Sequence, residues 1–220
     1  MATAPDLSLL GQFIDIVLHL DRYLALLIAQ YGTWIYAILF LIVFCETGLV
    51  VTPFLPGDSL LFVAGTLAAA GGMDLATLIA VLFSAAVLGD NTNYWIGRAF
   101  GQWILRRHWR LFNEAAYERT HAFYERYGGN MMIVARFIPL VRTFAPFVAG
   151  VARMDYRRFF VFDLAGAVLW VGSLTLAGYW FGALPIVKNN LSLIIVGIVV
   201  LSLMPVLIGW LRHRFARAAA

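Results

Sequence analysis

Four long apolar segments constrain the fold of this chain more than any other feature of its sequence. They cover residues 33–51, 75–97, 158–182 and 191–211 and contain few charges. A helix needs about 20 mostly apolar residues to cross a hydrocarbon core of about 30 Å. Apolar residues make up 62% of the chain and charged residues 13%, whereas a soluble domain is about 25% charged. The sequence therefore predicts an all-α integral membrane protein, and it excludes a disordered chain, a nucleic-acid-binding module and an ordinary cytosolic enzyme.

Two apolar regions contain residues that a regular spanning helix does not tolerate. One region follows residue 51 and the other covers residues 131–151. The breaking residues are Pro53, Pro56 and Gly57 in the first region and Pro139 and Pro146 in the second. Proline lacks a backbone donor, and irregular backbone at membrane depth is tolerated only where protein or a water-filled cavity surrounds it. We therefore predict two re-entrant hairpins, together with spanning helices and an amphipathic interfacial helix over residues 7–30.

Basic residues are distributed unevenly along the chain. They are concentrated in residues 98–130 and in the tail after residue 211, and none lies between Arg22 and Arg98. Because short cytoplasmic loops carry an excess of Lys and Arg, we expect the 98–130 loop and the C-terminus to be cytoplasmic. The turn at 183–190 is then external. In this orientation the first hairpin enters the membrane from outside and the second enters from the cytoplasm.

Short motifs recur in the same order in the two halves of the chain. The matched segments are 54–56 and 137–139, 63–65 and 148–150, 73–74 and 154–155, and 94–97 and 179–182. Because the charge pattern orients the two halves oppositely, we predict an inverted repeat within one membrane domain, 1–220. Its parts are repeat 1 at about 33–97, a cytoplasmic amphipathic connector at 98–130, repeat 2 at about 131–182 and a final transmembrane helix at 191–211. Chance similarity is the alternative; an inverted repeat with broken helices favours a transporter whose site lies between the repeats.

Four charged residues flank the breaks: Glu46, Asp58, Arg136 and Arg142. An ionised side chain at membrane depth costs at least about 2.5–3.5 kcal/mol on insertion scales, so their presence needs a reason. One interpretation is a structural set of ion pairs that pins the two hairpins together. The interpretation we favour is a proton-coupled anion site, in which all four side chains meet in one pocket near mid-membrane.

Each charge type has its own task in such a site. Arg136 and Arg142 bind a phosphate group, because a guanidinium stays charged and offers a planar fork of donors. Glu46 and Asp58 carry the coupling proton, because a desolvated carboxyl can take up and release a proton. Binding of the anion to the arginines is then coupled to proton uptake by the carboxyls.

Other polar residues near the spans are assigned structural roles. We expect Asp90 and Asn93 to cap a span that ends near the cytoplasmic face. We expect Asp163 to face either the bundle or the neighbouring Arg157 and Arg158. The four histidines lack metal-ligand spacing, so no metal ion and no cofactor is expected. The secondary site candidates are Asp90, Asn93, Arg98 and Asp163.

Three groups of residues resemble the signatures of the DedA family, the VTT-domain or SNARE-associated membrane proteins. The first group is Phe44, Glu46, Pro53, Pro56, Gly57, Asp58 and Gly65. The second group is Gly89, Asp90, Tyr94, Gly97, Arg98 and Gly101. The third group is Arg136, Phe137, Pro139, Arg142, Ala149, Gly150, Met154 and Phe159. These ordered motifs cover roughly residues 44–170, and they are specific together although each alone is weak.

The resemblance implies a multi-pass protein of the bacterial inner membrane, with two re-entrant hairpins and a dependence on the proton-motive force. It marks Glu46, Asp58, Arg136 and Arg142 as the essential charges. Members of the family are implicated in recycling undecaprenyl phosphate, and eukaryotic relatives in lipid scrambling. Others are linked to the uptake of small oxyanions or to drug and alkaline tolerance.

The motifs and the charges together predict a polyprenyl-phosphate flippase without enzymatic activity. Its expected partners are membrane lipid and protons, and its small glycine-rich faces permit a homodimer. A proton-coupled transporter of a small ion, either an oxyanion or a cation, is the main alternative. A non-catalytic membrane assembly factor ranks lower. An intramembrane lipid phosphatase is disfavoured because no histidine lies in a predicted intramembrane segment.

Overall fold

Helices form almost all of the structure. The computed structural model describes residues 20–49, 57–106 and 130–182, and the single positions 15, 184, 187, 194, 196 and 197. Within these residues the chain forms α-helices and one short 3-10 helix, with no β-strand. The α-helices are α1 (Leu20–Tyr31), α2 (Ile35–Gly48), α3 (Gly57–Ala69), α4 (Leu75–Arg106), α5 (Asn130–Ala135), α6 (Pro139–Val151) and α7 (Tyr156–Gly182). The prediction of an all-α protein is confirmed for this part of the chain.

Three helical segments are long and apolar enough to cross a membrane: Leu20–Gly48, Leu75–Phe100 and Tyr156–Gly182. They contain most of the three apolar segments that were predicted to span in this part of the chain. The helices α3 and α6 are apolar but too short to cross on their own. The predicted final span at 191–211 falls almost wholly outside the described residues, as does most of the 98–130 connector.

A single 3-10 turn, Gly32–Trp34, joins α1 to α2. Gly32 has a φ of +53°, a left-handed conformation that glycine adopts without a steric penalty. Leu20 of α1 is buried in the same apolar core as the residues of α2. Residues 20–31 and α2 together form the candidate span Leu20–Gly48. The interfacial position expected for residues 7–30 stays a prediction, and residues 7–14 and 16–19 lie outside the described residues.

The helix α4 is longer than the sequence predicted. Residues 89–97 were expected to end a span, but α4 continues through both glycines of that motif to Arg106. A glycine inside a helix costs up to about 1 kcal/mol relative to alanine and does not by itself end the helix. Asp90 and Asn93 consequently lie in the interior of α4, several turns from either end.

The predicted helix breaks have different outcomes. Pro139 is the first residue of α6 and separates it from α5, because the missing proline donor is harmless at the first position of a helix. Pro146 was also expected to be a break, but it lies inside α6, which continues past it. Gly57 begins α3. The remaining two, Pro53 and Pro56, lie outside the described residues.

The two most extensive helix pairings join α3 to α7 and α4 to α6. In each pairing a glycine lets two backbones come close together. A Cβ on Gly65 would overlap the Thr175 carbonyl, and a Cβ on Gly150 would overlap the Tyr94 carbonyl. Small residues at helix contacts are a common feature of membrane bundles. The helices α3 and α6 therefore each pack against a long helix from the other half of the chain.

Candidate functional site

Both arginines of the second broken segment are buried inside the bundle. Arg136 lies in the turn between α5 and α6, and Arg142 lies in the first turn of α6. Their relative exposures are 5% and 7%. A buried guanidinium remains charged and needs acceptors for its donors. Because the helix is broken at Pro139, the two side chains leave different elements and reach different partners.

Arg142 connects the two helices on either side of the first break. Its Nη2 donates to Glu46, in the last turn of α2, and its Nη1 donates to Asp58, in the first turn of α3. Glu46 is fully buried. Glu46, Asp58 and Arg142 are called the Arg142 cluster below. The structure thus brings together three of the four charges that the sequence placed in one pocket.

Arg136 has partners that the sequence did not predict. Its Nη2 forms ion pairs with Asp90 of α4 and with Asp163 of α7, the latter at 2.6 Å. Both carboxyls are buried, with exposures of 3% and 1%. Asp90 is therefore not an interfacial cap, and Asp163 faces the bundle. Asp90, Arg136 and Asp163 are called the Arg136 cluster below. The ion pairs thus divide between two clusters, while both arginines line one cavity.

Trp170 of α7 contacts both clusters. Its ring centre lies 4.9 Å from the guanidinium carbon of Arg142 and 5.9 Å from that of Arg136. Its indole N–H donates to Asp58 Oδ1 at 2.8 Å. The sequence reasoning missed this residue. The available signal was its position in the middle of the 158–182 segment, because interfacial tryptophans lie near the ends of spans.

The clusters retain unused hydrogen-bonding capacity. A cavity of about 10 Å³, close to the size of one water, is lined in part by Asp90, Arg136, Arg142 and Asp163. Among the described residues, no partner is found for Oε2 of Glu46, Oδ2 of Asp163 or Nε of Arg142. Buried polar atoms nearly always bond to protein or to water. The two carboxyl oxygens can therefore bind a proton or accept a hydrogen bond from a water or a polar substrate, and Nε of Arg142 can donate one to a water or a polar substrate.

Asn93 of α4 forms hydrogen bonds to the backbones of α2 and α6, which carry Glu46 and Arg142. Its side-chain amide donates to the Thr47 carbonyl at 3.1 Å and to the Thr143 carbonyl at 2.7 Å. Those residues directly follow Glu46 and Arg142. Asn93 is fully buried, so the expected role as a cap at a helix end is wrong. The amide instead holds α2 and α6 at a fixed separation.

Comparison with known proteins identifies the family. Residues 55–180 match the VTT domain. The chain is 52% identical to Protein DedA of Escherichia coli (strain K12), over 97% of its own length and 99% of that protein. The chain belongs to the DedA family. The resemblance noted in the sequence is thereby confirmed.

Two other proteins of Escherichia coli (strain K12) are similar to this DedA family member. It is 38% identical to Inner membrane protein YghB over 71% of the chain and 72% of that protein. It is also 38% identical to Inner membrane protein YqjA over 69% of the chain and 70% of that protein. No solved structure matches the chain. These relatives and the three apolar helical segments show that this DedA family member is a multi-pass membrane protein.

The two clusters of the DedA family member contain more acid than base. Four carboxyls face two guanidiniums, so full ionisation would leave a net formal charge of −2. An uncompensated charge in a low-dielectric interior is strongly unfavourable. The arrangement therefore favours uptake of protons or of another positive charge. In the described part of the chain, no group of three or more His, Cys, Asp or Glu side chains is placed to hold a metal ion.

Arg98, a secondary candidate from the sequence, lies apart from both clusters. Its guanidinium donates to the Tyr94 hydroxyl at 2.7 Å and lies 5.7 Å from the Trp95 ring. The Tyr94 hydroxyl in turn donates to the Met154 carbonyl. Arg98 therefore stabilises the contact between α4 and the segment that precedes α7, and it does not touch the buried charges.

Two glycines make room for the charged side chains. A Cβ on Gly57 would overlap the carboxylate of Glu46. A Cβ on Gly166 would lie 3.1 Å from Cδ of Arg136. The glycine at the first break thus does more than begin a helix, because it lets the backbone of α3 approach the buried acid.

Proposed function

We propose that this protein is a proton-motive-force-dependent transporter that moves undecaprenyl phosphate, or a related anionic lipid, across the bacterial inner membrane. Arg136 and Arg142 bind the phosphate group while the lipid tail stays in the bilayer. Glu46 and Asp58 carry the coupling protons. One observation carries the proposal: two buried arginines, each bound to two carboxyls, lie against the same tryptophan ring.

The buried arginines suit a phosphate group in shape and charge. A guanidinium offers parallel donors that bind phosphate oxygens in pairs, and it does not lose its charge on burial. In this structure carboxyls occupy donors of both guanidiniums. A phosphate therefore has to displace a carboxyl from each arginine that it binds.

Protonation of the carboxyls provides that displacement. A neutral Glu46 or Asp58 no longer attracts Arg142 as an ion, so its hold on the guanidinium weakens. Proton uptake then frees donors for the phosphate, and proton release restores the ion pairs and expels it. Binding of the anion and binding of the proton are coupled because both act on the same guanidinium.

The proposed movement uses the two short helices. We infer that α3 and α6 are the inner arms of two re-entrant hairpins, related as an inverted repeat, with the 98–130 loop and the C-terminus cytoplasmic. Two further contacts support this inference, because in each a glycine of a long helix lies against a phenylalanine carbonyl of the short helix from the other half. A Cβ on Gly178 of α7 would overlap the Phe62 carbonyl of α3, and a Cβ on Gly97 of α4 would overlap the Phe147 carbonyl of α6.

The decisive experiment measures lipid movement in proteoliposomes that contain the purified protein. Polyprenyl phosphate in the outer leaflet is detected with an added enzyme that cannot cross the membrane, with and without an imposed pH gradient. We expect protein-dependent movement that is lost in Arg136→Ala and Arg142→Ala. Arg158→Ala, which removes an exposed arginine, is the matched control and should retain it. In Glu46→Gln the response to the gradient should disappear.

The proposal fails if correctly folded protein moves no lipid, or if movement persists in both variants of the buried arginines. Circular dichroism and thermal unfolding in detergent establish that each variant is folded. Movement that is unaffected by the gradient in the wild type would remove proton coupling from the proposal and leave lipid movement in place.

A proton-coupled transporter of a small ion is the second candidate, and the surplus of carboxyls favours it. A net formal charge of −2 in the buried clusters attracts a cation, whereas the arginines alone would attract an oxyanion. The same proteoliposomes distinguish the cases. A gradient-driven flux of inorganic phosphate, sodium or potassium without lipid movement would replace the lipid proposal.

A further inference from the structure

We propose that Asp90 and Asp163 form a proton-binding site of their own, in which the two carboxyls share one proton beside Arg136. This site is distinct from Glu46 and Asp58, to which the proposed function assigns the coupling protons. It follows from the arrangement of the buried groups and does not depend on which substrate the protein carries.

The geometry brings the two carboxyls to one place from different helices. Asp90 of α4 and Asp163 of α7 bind the same nitrogen, Nη2 of Arg136. Because both carboxyls bond to this one nitrogen atom, they are close neighbours. Ionised carboxylates can only accept hydrogen bonds. A favourable contact between them therefore requires a proton on one of the two, as in other carboxyl pairs that share a site.

A second observation also indicates a proton on this pair of carboxyls. Oδ2 of Asp163 has no hydrogen-bond partner among the described residues, although the residue is only 1% exposed. Asp90 and Asp163 both line the cavity of about 10 Å³. An orphaned buried acceptor is rare in folded proteins. A shared proton supplies the donor that this oxygen lacks, either directly or through one water in the cavity.

The formal charges around Asp90 and Asp163 are balanced by the addition of one proton. The turn between α5 and α6 contributes Arg136, and α6 contributes Arg142 across the cavity. The carboxyls of α2 and α3, Glu46 and Asp58, are bound to Arg142. One guanidinium against two carboxylates leaves the Arg136 cluster with a formal charge of −1. A single proton makes that cluster neutral.

The shared proton controls how firmly Arg136 is held. With the proton present, one carboxylate faces the guanidinium; after its release, two carboxylates do. If the proposed function is correct, release of this proton therefore competes with binding of the phosphate to Arg136. The chain would then hold two separate protonation sites, one for each arginine.

Infrared spectroscopy of the protein in liposomes tests the site without substrate and without a gradient. A protonated carboxyl absorbs separately from a carboxylate, and its C=O band shifts when water is replaced by D₂O. We expect such a band at neutral pH in the wild type. It should be lost in Asp90→Asn and in Asp163→Asn, because the remaining carboxyl then pairs with Arg136 and ionises. Asp74→Asn, which alters an exposed carboxyl, is the matched control and should retain it.

The proposal is overturned if the wild type has no protonated-carboxyl band, or if the band survives in both asparagine variants. Loss of the band in Glu46→Gln would assign it to the Arg142 cluster and would also overturn the proposal. Conservative variants cover the case in which the asparagine variants do not fold. The band should persist at a shifted frequency in Asp90→Glu and Asp163→Glu, and an unchanged frequency in both contradicts the assignment.

The result is independent of the transport experiment. A protein that moves no lipid but shows the band keeps this proton site and refutes the proposed function. A protein that moves lipid but lacks the band supports the proposed function and refutes this proton site.

Discussion

Arg142 and Trp170 share a carboxylate. The guanidinium carbon lies 4.9 Å from the centre of the indole ring, and the indole N–H donates to the same Asp58 oxygen that Arg142 binds. A cation close to an aromatic ring gains roughly 0.5–2 kcal/mol, depending on how far it is desolvated. Trp170 therefore orients both members of one ion pair. Because Arg136 contacts the same ring, a change at Trp170 affects both clusters.

Replacing Trp170 with Phe tests this role. The variant keeps an aromatic face for the arginines and removes the donor to Asp58. We expect the free energy of unfolding to fall by about 1–3 kcal/mol, because the partly buried carboxylate of Asp58 loses a hydrogen bond. Denaturant unfolding in detergent micelles measures this change, and lipid movement in proteoliposomes should slow in parallel. Trp180→Phe is the control, because Trp180 is 65% exposed. Equal losses in the two variants would contradict the prediction.

Asn93→Ala tests the brace between α2 and α6. The variant removes both donors to the carbonyls of Thr47 and Thr143. We expect a loss of about 1–3 kcal/mol in the free energy of unfolding, because two hydrogen bonds in a buried environment are lost. Thr92→Ala is the control on the same helix; its hydroxyl is exposed and bonds only within α4, to the Leu88 carbonyl. A control variant that loses as much stability as Asn93→Ala would argue against the brace.

Gly65→Ala tests the close contact between α3 and α7. Its added methyl group would overlap the Thr175 carbonyl, which belongs to a helix backbone and cannot turn away. Overpacking of this kind destabilises by about 1–3 kcal/mol. Gly172→Ala is the matched control on α7, because no atom lies within 4 Å of its added Cβ. We expect the control to be neutral or slightly stabilising, since alanine favours a helix over glycine. Thermal unfolding of both variants decides the point.

Asp74 gives a prediction for the pH dependence of stability. Its carboxyl accepts hydrogen bonds from the Thr77 hydroxyl at 2.6 Å and from the Thr77 N–H at 2.8 Å, at the start of α4. These bonds hold the pKa of Asp74 below its ordinary value of 3.8. A carboxyl with a lower pKa in the folded state stabilises the fold above its unfolded pKa, and that contribution is lost as the pH falls through the folded pKa.

We therefore expect Asp74→Ala to lower Tm at neutral pH, with a difference from the wild type that shrinks below about pH 4, near the pKa of an unfolded aspartate. Thermal unfolding across this pH range measures the difference. Thr77→Val removes only the hydroxyl donor, so its pH-dependent loss should be smaller than that of Asp74→Ala. A difference that stays constant down to low pH would show that the charge of Asp74 makes no contribution.

The contents of the Arg142 cluster follow from local features of the sequence. Gly57 and Pro139 begin helices directly after the breaks, and Glu46, Asp58 and Arg142 lie close to those breaks. A charge beside a helix break at membrane depth needs a partner, so an ion pair between the two broken segments can be predicted. The structure places these three side chains in direct contact.

The partners of Arg136 do not follow from the sequence. Asp90 lies in a continuous helix, and no local signal says which face of that helix is buried. The sequence instead suggested a helix end at this point, because glycines surround the acid. The packing of α6 against α4 and the position of α7 bring Asp90 and Asp163 to the same guanidinium.

The sequence alone also does not fix which residues of the two halves correspond to each other. The motif match aligned residues 94–97 with 179–182, which pairs Gly97 with Gly182. In the backbone contacts, Gly97 packs against the Phe147 carbonyl as Gly178 packs against the Phe62 carbonyl, and residue 178 lies about one helical turn from residue 182. A shift of about 3.6 residues keeps a side chain on the same helix face, so sequence similarity alone cannot distinguish the two registers.

The sequence by itself determined that this chain is helical and membrane-embedded, that it is a DedA family member, and that charges accompany its helix breaks. These properties depend on composition and on neighbours in the chain, because the hydrocarbon core requires apolar helices of sufficient length. Only the tertiary structure decided that the charges form two clusters around Trp170. Ion pairing depends on which helix faces meet, and those faces come from residues up to 96 positions apart.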